Sequence, residues 1–390
     1  MTAMARNWIP REEALAQLRV KPQTLYAYVS RGRIAARQDP ADPRRSLYAA
    51  EDVARLLDRS PRPSNESASQ APGGGARAET VLESALTAAA DGRLFYRGRD
   101  AARLADTLTL EQAARLLWGG DEDPFVDLKP RVDMTFVGGP RARAFAALAR
   151  RAEEDAPTSG RSEKSLRREA AAVLGELVDA VAGGGPRLYL HQRLARVWKL
   201  DEKDSQLVRR ALVLSADHEL NAATLAARVT ASTGASLASC ALSGLAAASG
   251  PLFGGELARV SSFLSEARRG ADARVAARQR LAQGLDLPGF GHSLYPEGDP
   301  RARALIEAMN APPDALDVVR VGEGLTGQAP NFHMALALLG RQLDLPRDGV
   351  FILYAVGRTA GWLAHALEQV ASGSPVRARL RYVGPEPEID

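Results

Sequence analysis

The stretch Gly289-Phe290-Gly291-His292-Ser293-Leu294-Tyr295-Pro296-Glu297-Gly298-Asp299-Pro300-Arg301-Ala302 sets a histidine among small residues and an arginine nine positions later. Glycines ahead of His292 let the backbone come close to a ligand, and Pro300 fixes the turn that aims Arg301. An arginine fork matches a carboxylate, and an imidazole can donate to a keto or hydroxyl oxygen. Together they suit a small polycarboxylate.

Further segments extend this reading along the chain: ALVLSADHELNAAT at 211–224, SGPLFGGELARV at 249–260, GQAPNFHMALALL at 327–339, VGRTAGW at 356–362 and PVRARLRYVGP at 375–385. With Gly-x-Gly-His and Asp-Pro-Arg, they resemble the citrate synthases over about 79–390 and most densely over 211–385. That family joins the methyl carbon of acetyl-CoA to the keto carbon of oxaloacetate, then hydrolyses the thioester. The chemistry needs a carboxylate base, a donor on the thioester oxygen, donors on the keto group and arginines on the carboxylates. The resemblance implies substrate contacts from His218, Asn221, His292, Arg301 and Arg358, with His292 also catalytic, and from Arg377, reaching the site of a partner subunit. Every dicarboxylate contact is present.

The acetyl-CoA side departs from the family pattern. Phe253 stands where a histidine should hold the enolate oxygen, and phenylalanine offers no donor. His333 stands where the family has the aspartate base. It is a candidate catalytic base, since a neutral imidazole accepts a proton. Pro296 occupies a position that is basic in many relatives. The dicarboxylate half is retained, and the thioester-activating pair is replaced twice.

The N-terminus reads differently. REEALAQLRV has apolar residues at helical spacing, Pro22 sits near a second helix start, TLYAYVSRGRI follows, and RQDPADPRRSLY is turn-rich and basic. This resembles the winged helix-turn-helix of the MerR and excisionase type, whose second helix enters the major groove while the wing touches phosphates. The resemblance implies base or phosphate contacts from Gln23, Thr24, Tyr26, Tyr28 and Arg31, and phosphate contacts from Arg33, Arg44 and Arg45. Residues 1–77 hold 13 Lys and Arg against 8 Asp and Glu, leaving the rest nearly neutral. SPRPSNESASQAPGGGAR at 60–77 has the composition of a flexible linker.

The 390 residues are 45% hydrophobic and 25% charged, ordinary for a globular protein. No run of eighteen uncharged apolar residues suggests a membrane span. One cysteine, Cys240, cannot staple a fold and reads as a buried small hydrophobe, with the cytoplasm as the default compartment.

The expected fold is mainly α: citrate-synthase-type all-helical large and small domains plus a small N-terminal winged helix-turn-helix. The expected boundaries are 1–59 for the winged helix, 60–78 for the linker and 79–390 for the helical body, with a small subdomain at about 253–345. No metal site and no permanently bound cofactor are implied; acetyl-CoA or another acyl-CoA would be a co-substrate. Two functions fit. One is a homodimeric, DNA-binding sensor of a di- or tricarboxylate. The other is a citrate or 2-methylcitrate synthase using His333.

Overall fold

A computed structural model describes residues 8–18, 25, 29, 34–39, 42, 46–53, 82–128, 136–183, 188–252, 255–269, 272–378 and 383–384. The eight candidate DNA contacts, the linker segment and Phe253 lie outside the described residues. The chain divides into two compact units, 1–66 and 67–390.

In the first unit, β1 (Trp8–Pro10) runs directly into α1 (Arg11–Leu18), and β2 (Ala36–Gln38) and β3 (Ser46–Ala49) follow. The three strands form an antiparallel sheet in the order β1-β3-β2, with Ile9 opposite Tyr48 and Arg37 opposite Leu47. Ile9, Ala14, Leu25, Ile34, Tyr48 and Val53 close over one another as a separate core. Buried Asp52 accepts from the Ala35 amide at 2.9 Å, which ties the last helical turn to the sheet.

The second unit opens with a small antiparallel sheet, β4 (Thr87–Ala90), β5 (Arg93–Tyr96) and β6 (Arg99–Asp100). Helices follow almost without interruption: α2 (Ala101–Thr107), α3 (Leu110–Trp118), α4 (Pro140–Glu154), α5 (Glu163–Ala182), α6 (Leu190–Val197), α7 (Glu202–Ser215), α8 (Ala222–Ala231) and α9 (Leu237–Ala248). Then come α10 (Gly255–Arg269), α11 (Ala273–Ala282), α12 (Pro300–Ala308), α13 (Pro313–Thr326), α14 (Phe332–Gln342) and α15 (Gly349–Ser372). Their starts are written in the sequence. Asp100, Thr109, Ser162, Asp201, Asn221, Ser236, Asp272, Asp299 and Asn331 each accept an amide of the first turn, satisfying donors that helix geometry leaves open.

Helix α15 is the axle of this unit and packs against α3, α5, α7, α8 and α9. By length and composition it could cross a membrane, yet 89% of its most apolar window is buried inside the fold. It also carries buried Arg358 and His365. Helices α10, α11 and α13 pack chiefly on one another and on α14, which also packs against α12 and α15. Cys240 is fully buried among apolar neighbours, and burial pushes its thiol up to about 12.

Two glycines one turn apart set how closely α15 meets α7. A Cβ on Gly357 would fall 2.5 Å from Ser215 Cβ, and one on Gly361 would fall 2.3 Å from the Ala216 carbonyl and 2.5 Å from Asp217 Oδ1. Backbone and a buried carboxylate cannot yield as a flexible side chain could. Gly361→Ala is therefore expected to destabilise the protein by about 1–3 kcal/mol, the usual cost of overpacking. Denaturant unfolding monitored by circular dichroism tests this: an unchanged midpoint would mean that α15 is free to move away.

Candidate functional site

The C-terminal end of α7 delivers Asp217 and His218 side by side. Asp217 is fully buried and accepts from Arg358 Nη1 at 3.0 Å, from His365 at 3.1 Å and from the Thr87 hydroxyl. Burial alone would raise its carboxyl, but His365 and Arg358 beside it hold it well below the usual carboxylate range. Arg358, Gly361 and His365 share one face of α15, being three and seven residues apart. His365 Nδ1 accepts from Arg228 Nε at 2.9 Å, which leaves Nε2 to carry the hydrogen that meets Asp217. Arg228 is also held by Gln369 at 3.1 Å and by Glu368. Arg358 Nη2 donates to Thr224 at 2.7 Å, and its buried Nε makes no hydrogen bond among the described residues. The Tyr96 hydroxyl, 3.0–3.3 Å from the carbonyls of Val213, Leu214 and Asp217, anchors the sheet to the same turn.

A second aspartate–arginine pair faces this one from α12. Asp299 caps that helix and takes Arg301 in a fork, Nε to Oδ1 at 3.0 Å and Nη2 to Oδ2 at 2.7 Å. The guanidinium lies 4.7 Å over the ring of Phe332. Both partners are buried, so the arginine head is fixed before any ligand arrives. Beside it stand three rings: His218 and His292 edge to face at 5.0 Å, with Tyr295 at 5.8 Å and 4.9 Å from them. His292 Nδ1 accepts from the Leu294 amide at 3.2 Å, so Nε2 carries its hydrogen. His218 Nε2 and Tyr295 Oη are buried without a hydrogen bond among the described residues. Such polar atoms are costly unless something pairs with them, and the oxygens of a polycarboxylate can accept from a hydroxyl or from a protonated ring nitrogen.

The third wall begins α14. Asn331 caps it, its Oδ1 accepting from the His333 amide at 3.0 Å, and its Nδ2 reaches the Gly291 carbonyl at 3.3 Å. His333 presents its ring 6.0 Å from that of Tyr354. Glu256, in the first turn of α10, accepts from the Gly289 amide at 2.9 Å and from Arg259 at 2.6 Å.

The structure thus gathers His218, His292 and Arg301, with Arg358 behind them. Asn221 serves as the N-cap of α8, accepting from the Thr224 amide at 3.0 Å. Arg377 is exposed beyond the end of α15. Asp217, Arg228, His365, Thr87, Tyr96 and Glu256 are participants that sequence reasoning missed. Asp217 lies within 211–224 and Glu256 within 249–260, and His365 repeats the helical face of Arg358.

Two outcomes follow from this electrostatic arrangement. Arg358→Ala would strand the Asp217 carboxylate in the interior, and a stability loss of about 3–5 kcal/mol is expected, measurable by chemical denaturation. Burial, reinforced by Arg301, lowers His292 from 6.5 to about 4, and burial lowers His218 and His333 as well. The unfolded chain therefore takes up protons that the folded one refuses between these values. Stability from the neutral imidazoles is present above about pH 6.5 and is lost as pH falls toward about 4. Unfolding midpoints recorded across that window should fall, and fall less steeply in His292→Gln.

The family model "Citrate synthase, C-terminal domain" matches residues 141–379. A putative citrate synthase 2 of Mycobacterium tuberculosis is 39% identical over 187 residues, which is 45% of this chain and 50% of that protein. A 2-methylcitrate synthase of Shewanella oneidensis is 30% identical over 190 residues, 45% of this chain and 50% of that protein. The chain thus spans about half the length of the curated relatives it matches. Among solved structures, the citrate synthase of Thermotoga maritima superposes with a TM-score of 0.66 at 25% identity, covering 80% of this chain and 95% of that one. The fold is also that of the Thermoplasma acidophilum citrate synthase solved with carboxymethyl coenzyme A and oxaloacetate, with a TM-score of 0.64 at 20% identity, covering 79% and 95%. A match extending through all the site helices, on a fold shared with these enzymes, means that the chain belongs to the citrate synthase family.

Proposed function

We propose that the helical unit binds a small di- or tricarboxylate of the oxaloacetate or citrate kind at His218, His292 and Arg301, and that the chain acts as a ligand-sensing, DNA-binding regulator. The observation that carries the binding is the meeting of buried polar atoms on His218 and Tyr295, without a partner among the described residues, with the fixed guanidinium of Arg301. Support for a sensor comes from the asymmetry of the substitutions. The polycarboxylate residues are kept, while Phe253 and His333 replace the pair that would activate an acyl-CoA. The N-terminal unit supplies the readout, with Gln23, Thr24, Tyr26, Tyr28 and Arg31 at the DNA and Arg33, Arg44 and Arg45 on phosphates. A homodimer would pair two such units on a palindromic site and bring Arg377 of one copy to the site of the other. In this reading the protein works in the cytoplasm without a permanent cofactor.

A second reading is a citrate or 2-methylcitrate synthase that condenses an acyl-CoA with oxaloacetate. Glu256 favours it, because a carboxylate beside His333 makes that imidazole a better base.

Oxaloacetate and citrate should raise the unfolding temperature, by about 2.7 kcal/mol of stabilisation at a hundredfold excess over Kd. Arg301→Lys removes the fork and should weaken binding roughly 10- to 100-fold. If neither acid shifts the midpoint, the binding site is wrongly assigned. Selection of DNA from a random pool, with and without citrate, decides the readout: no enriched sequence under either condition would end the regulator. Coenzyme A thiol release from acetyl-CoA or propionyl-CoA at or above about 1 per second would make the synthase the principal activity.

A further inference from the structure

We propose that a cleft of about 660 Å³ in the helical unit is a binding site for a phosphate monoester with an apolar body. Its walls are the turn after α3, the loop between α4 and α5, and the last turns of α15. Its volume is that of a small-molecule site. His218, His292 and Arg301 take no part in it, so it stands whether or not the polycarboxylate reading does.

Two arginines form its charged end. Arg97 Nε donates to the Leu117 carbonyl at 2.9 Å and Arg167 Nε to the Trp118 carbonyl at 3.3 Å, so consecutive carbonyls at the end of α3 hold both heads. Capping those carbonyls uses one nitrogen of each arginine. Arg167 Nη2 is taken by Glu163, while Arg167 Nη1 and both terminal nitrogens of Arg97 make no hydrogen bond among the described residues. The heads stand over two glycines of positive φ. A Cβ on Gly119 would fall 3.8 Å from Arg97 Nη2, and one on Gly120 would fall 2.7 Å from Arg167 Nη1, so a side chain at 120 would displace that guanidinium. The other carboxylates around the cleft are engaged, Glu368 by Arg228 and the Ala85 amide, and Glu169 by Arg161. Arg161, Arg167 and Arg228 thus balance Glu169, Glu163 and Glu368, and Arg97 carries a positive charge with no carboxylate against it.

Thr158 points the same way. It lines the cleft, is only 1% exposed, and its hydroxyl makes no hydrogen bond among the described residues. A buried hydroxyl left so is costly, and a phosphate oxygen would satisfy it. The hairpin turn between β5 and β6 adds a further sign. Its two residues are Arg97 and Gly98, at φ +45° and +77°, and such a turn favours Asn-Gly. A long side chain therefore stands where a short one would be easier, and its head reaches the cleft. Free nitrogens on two guanidinium planes suit a tetrahedral oxyanion, whereas one fork is enough for a carboxylate. Phosphate alone would leave most of the cleft unfilled. Leu166, Leu367 and Val370 line the remainder, and an apolar body on the ester would cover them.

Calorimetric titration of the full chain, in a buffer free of phosphate and carboxylate, tests the site. Phenyl phosphate is expected to bind saturably with a Kd below about 1 mM, and inorganic phosphate about tenfold more weakly. Arg97→Asn removes the guanidinium and suits the turn. It should therefore keep or raise the unfolding midpoint while weakening phenyl phosphate about tenfold or more. Thr158→Val keeps the shape and removes the hydroxyl, and binding should fall roughly 3- to 10-fold with the midpoint held. Arg301→Lys, in the polycarboxylate site, should bind phenyl phosphate as the wild type does. No saturable heat at about 10 mM, or wild-type affinity in Arg97→Asn, overturns the site. Loss of binding in Arg301→Lys would put the phosphate in the polycarboxylate site and overturns it too. Equal affinity for phenyl phosphate and inorganic phosphate overturns the apolar body and with it the monoester.

Discussion

The second unit is arranged around one buried negative charge. A carboxylate in a protein interior costs several kcal/mol unless it is paired and its lone pairs are filled. Asp217 meets that demand with three partners from two distant segments: Arg358 and His365 from α15, and Thr87 from the first strand of the small sheet. Because the partners are far apart in sequence, satisfying the charge fixes tertiary structure. The close approach of α15 follows from it, since only glycine at 361 leaves room for the Asp217 oxygen and the Ala216 carbonyl. His218 is the next residue, so the constraint that orders the core also sets its ring against His292.

The same device recurs at Asp299 and Arg301. In each pair the aspartate orients an arginine so that its head group needs no reordering on binding, the physical content of preorganisation. The two arginines are placed differently, however. Arg358 engages both terminal nitrogens inside the protein, on Asp217 and Thr224, and its buried Nε makes no hydrogen bond among the described residues. Arg301 uses Nε and Nη2 on Asp299 and stacks on Phe332. Arg301 is therefore the cation better placed to meet a ligand, and Arg358 is first a strut that keeps Asp217 ionised.

Much of this was legible in the sequence because it is local. Helical periodicity and the residues that cap first turns are written in consecutive positions, and so is the Gly-His-Asp-Pro-Arg stretch that led to His292 and Arg301. What escaped was long-range. Nothing near Asp217 in the chain announces His365, 148 positions away, as its partner. Glu256 sits in the first turn of α10, where an acid complements the macrodipole, and only the folded chain brings it to Gly289. Asn221 was read as a substrate contact from the resemblance, and its side chain is engaged as an N-cap. A cap and a ligand contact use the same small polar residues, so composition alone cannot separate them.

Charge balance sharpens what the site asks of its ligand. Asp217 and Asp299 cancel Arg358 and Arg301, and burial keeps His218 and His292 from charging. A dianion entering this cluster would face no net positive charge, yet two carboxylates leaving water demand compensation. Protons can supply it, since an anion beside His218 and His292 raises their affinity for H⁺. A further cation can also supply it. Arg377 stands exposed at the end of the described helical unit, so in the proposed dimer it is the residue free to bring that charge from the other copy. The buried aspartates thus do more than hold arginines in place. In the proposed reading, neutralised arginines would leave occupancy dependent on a proton or on a second subunit, and a sensor of a small acid could exploit either dependence.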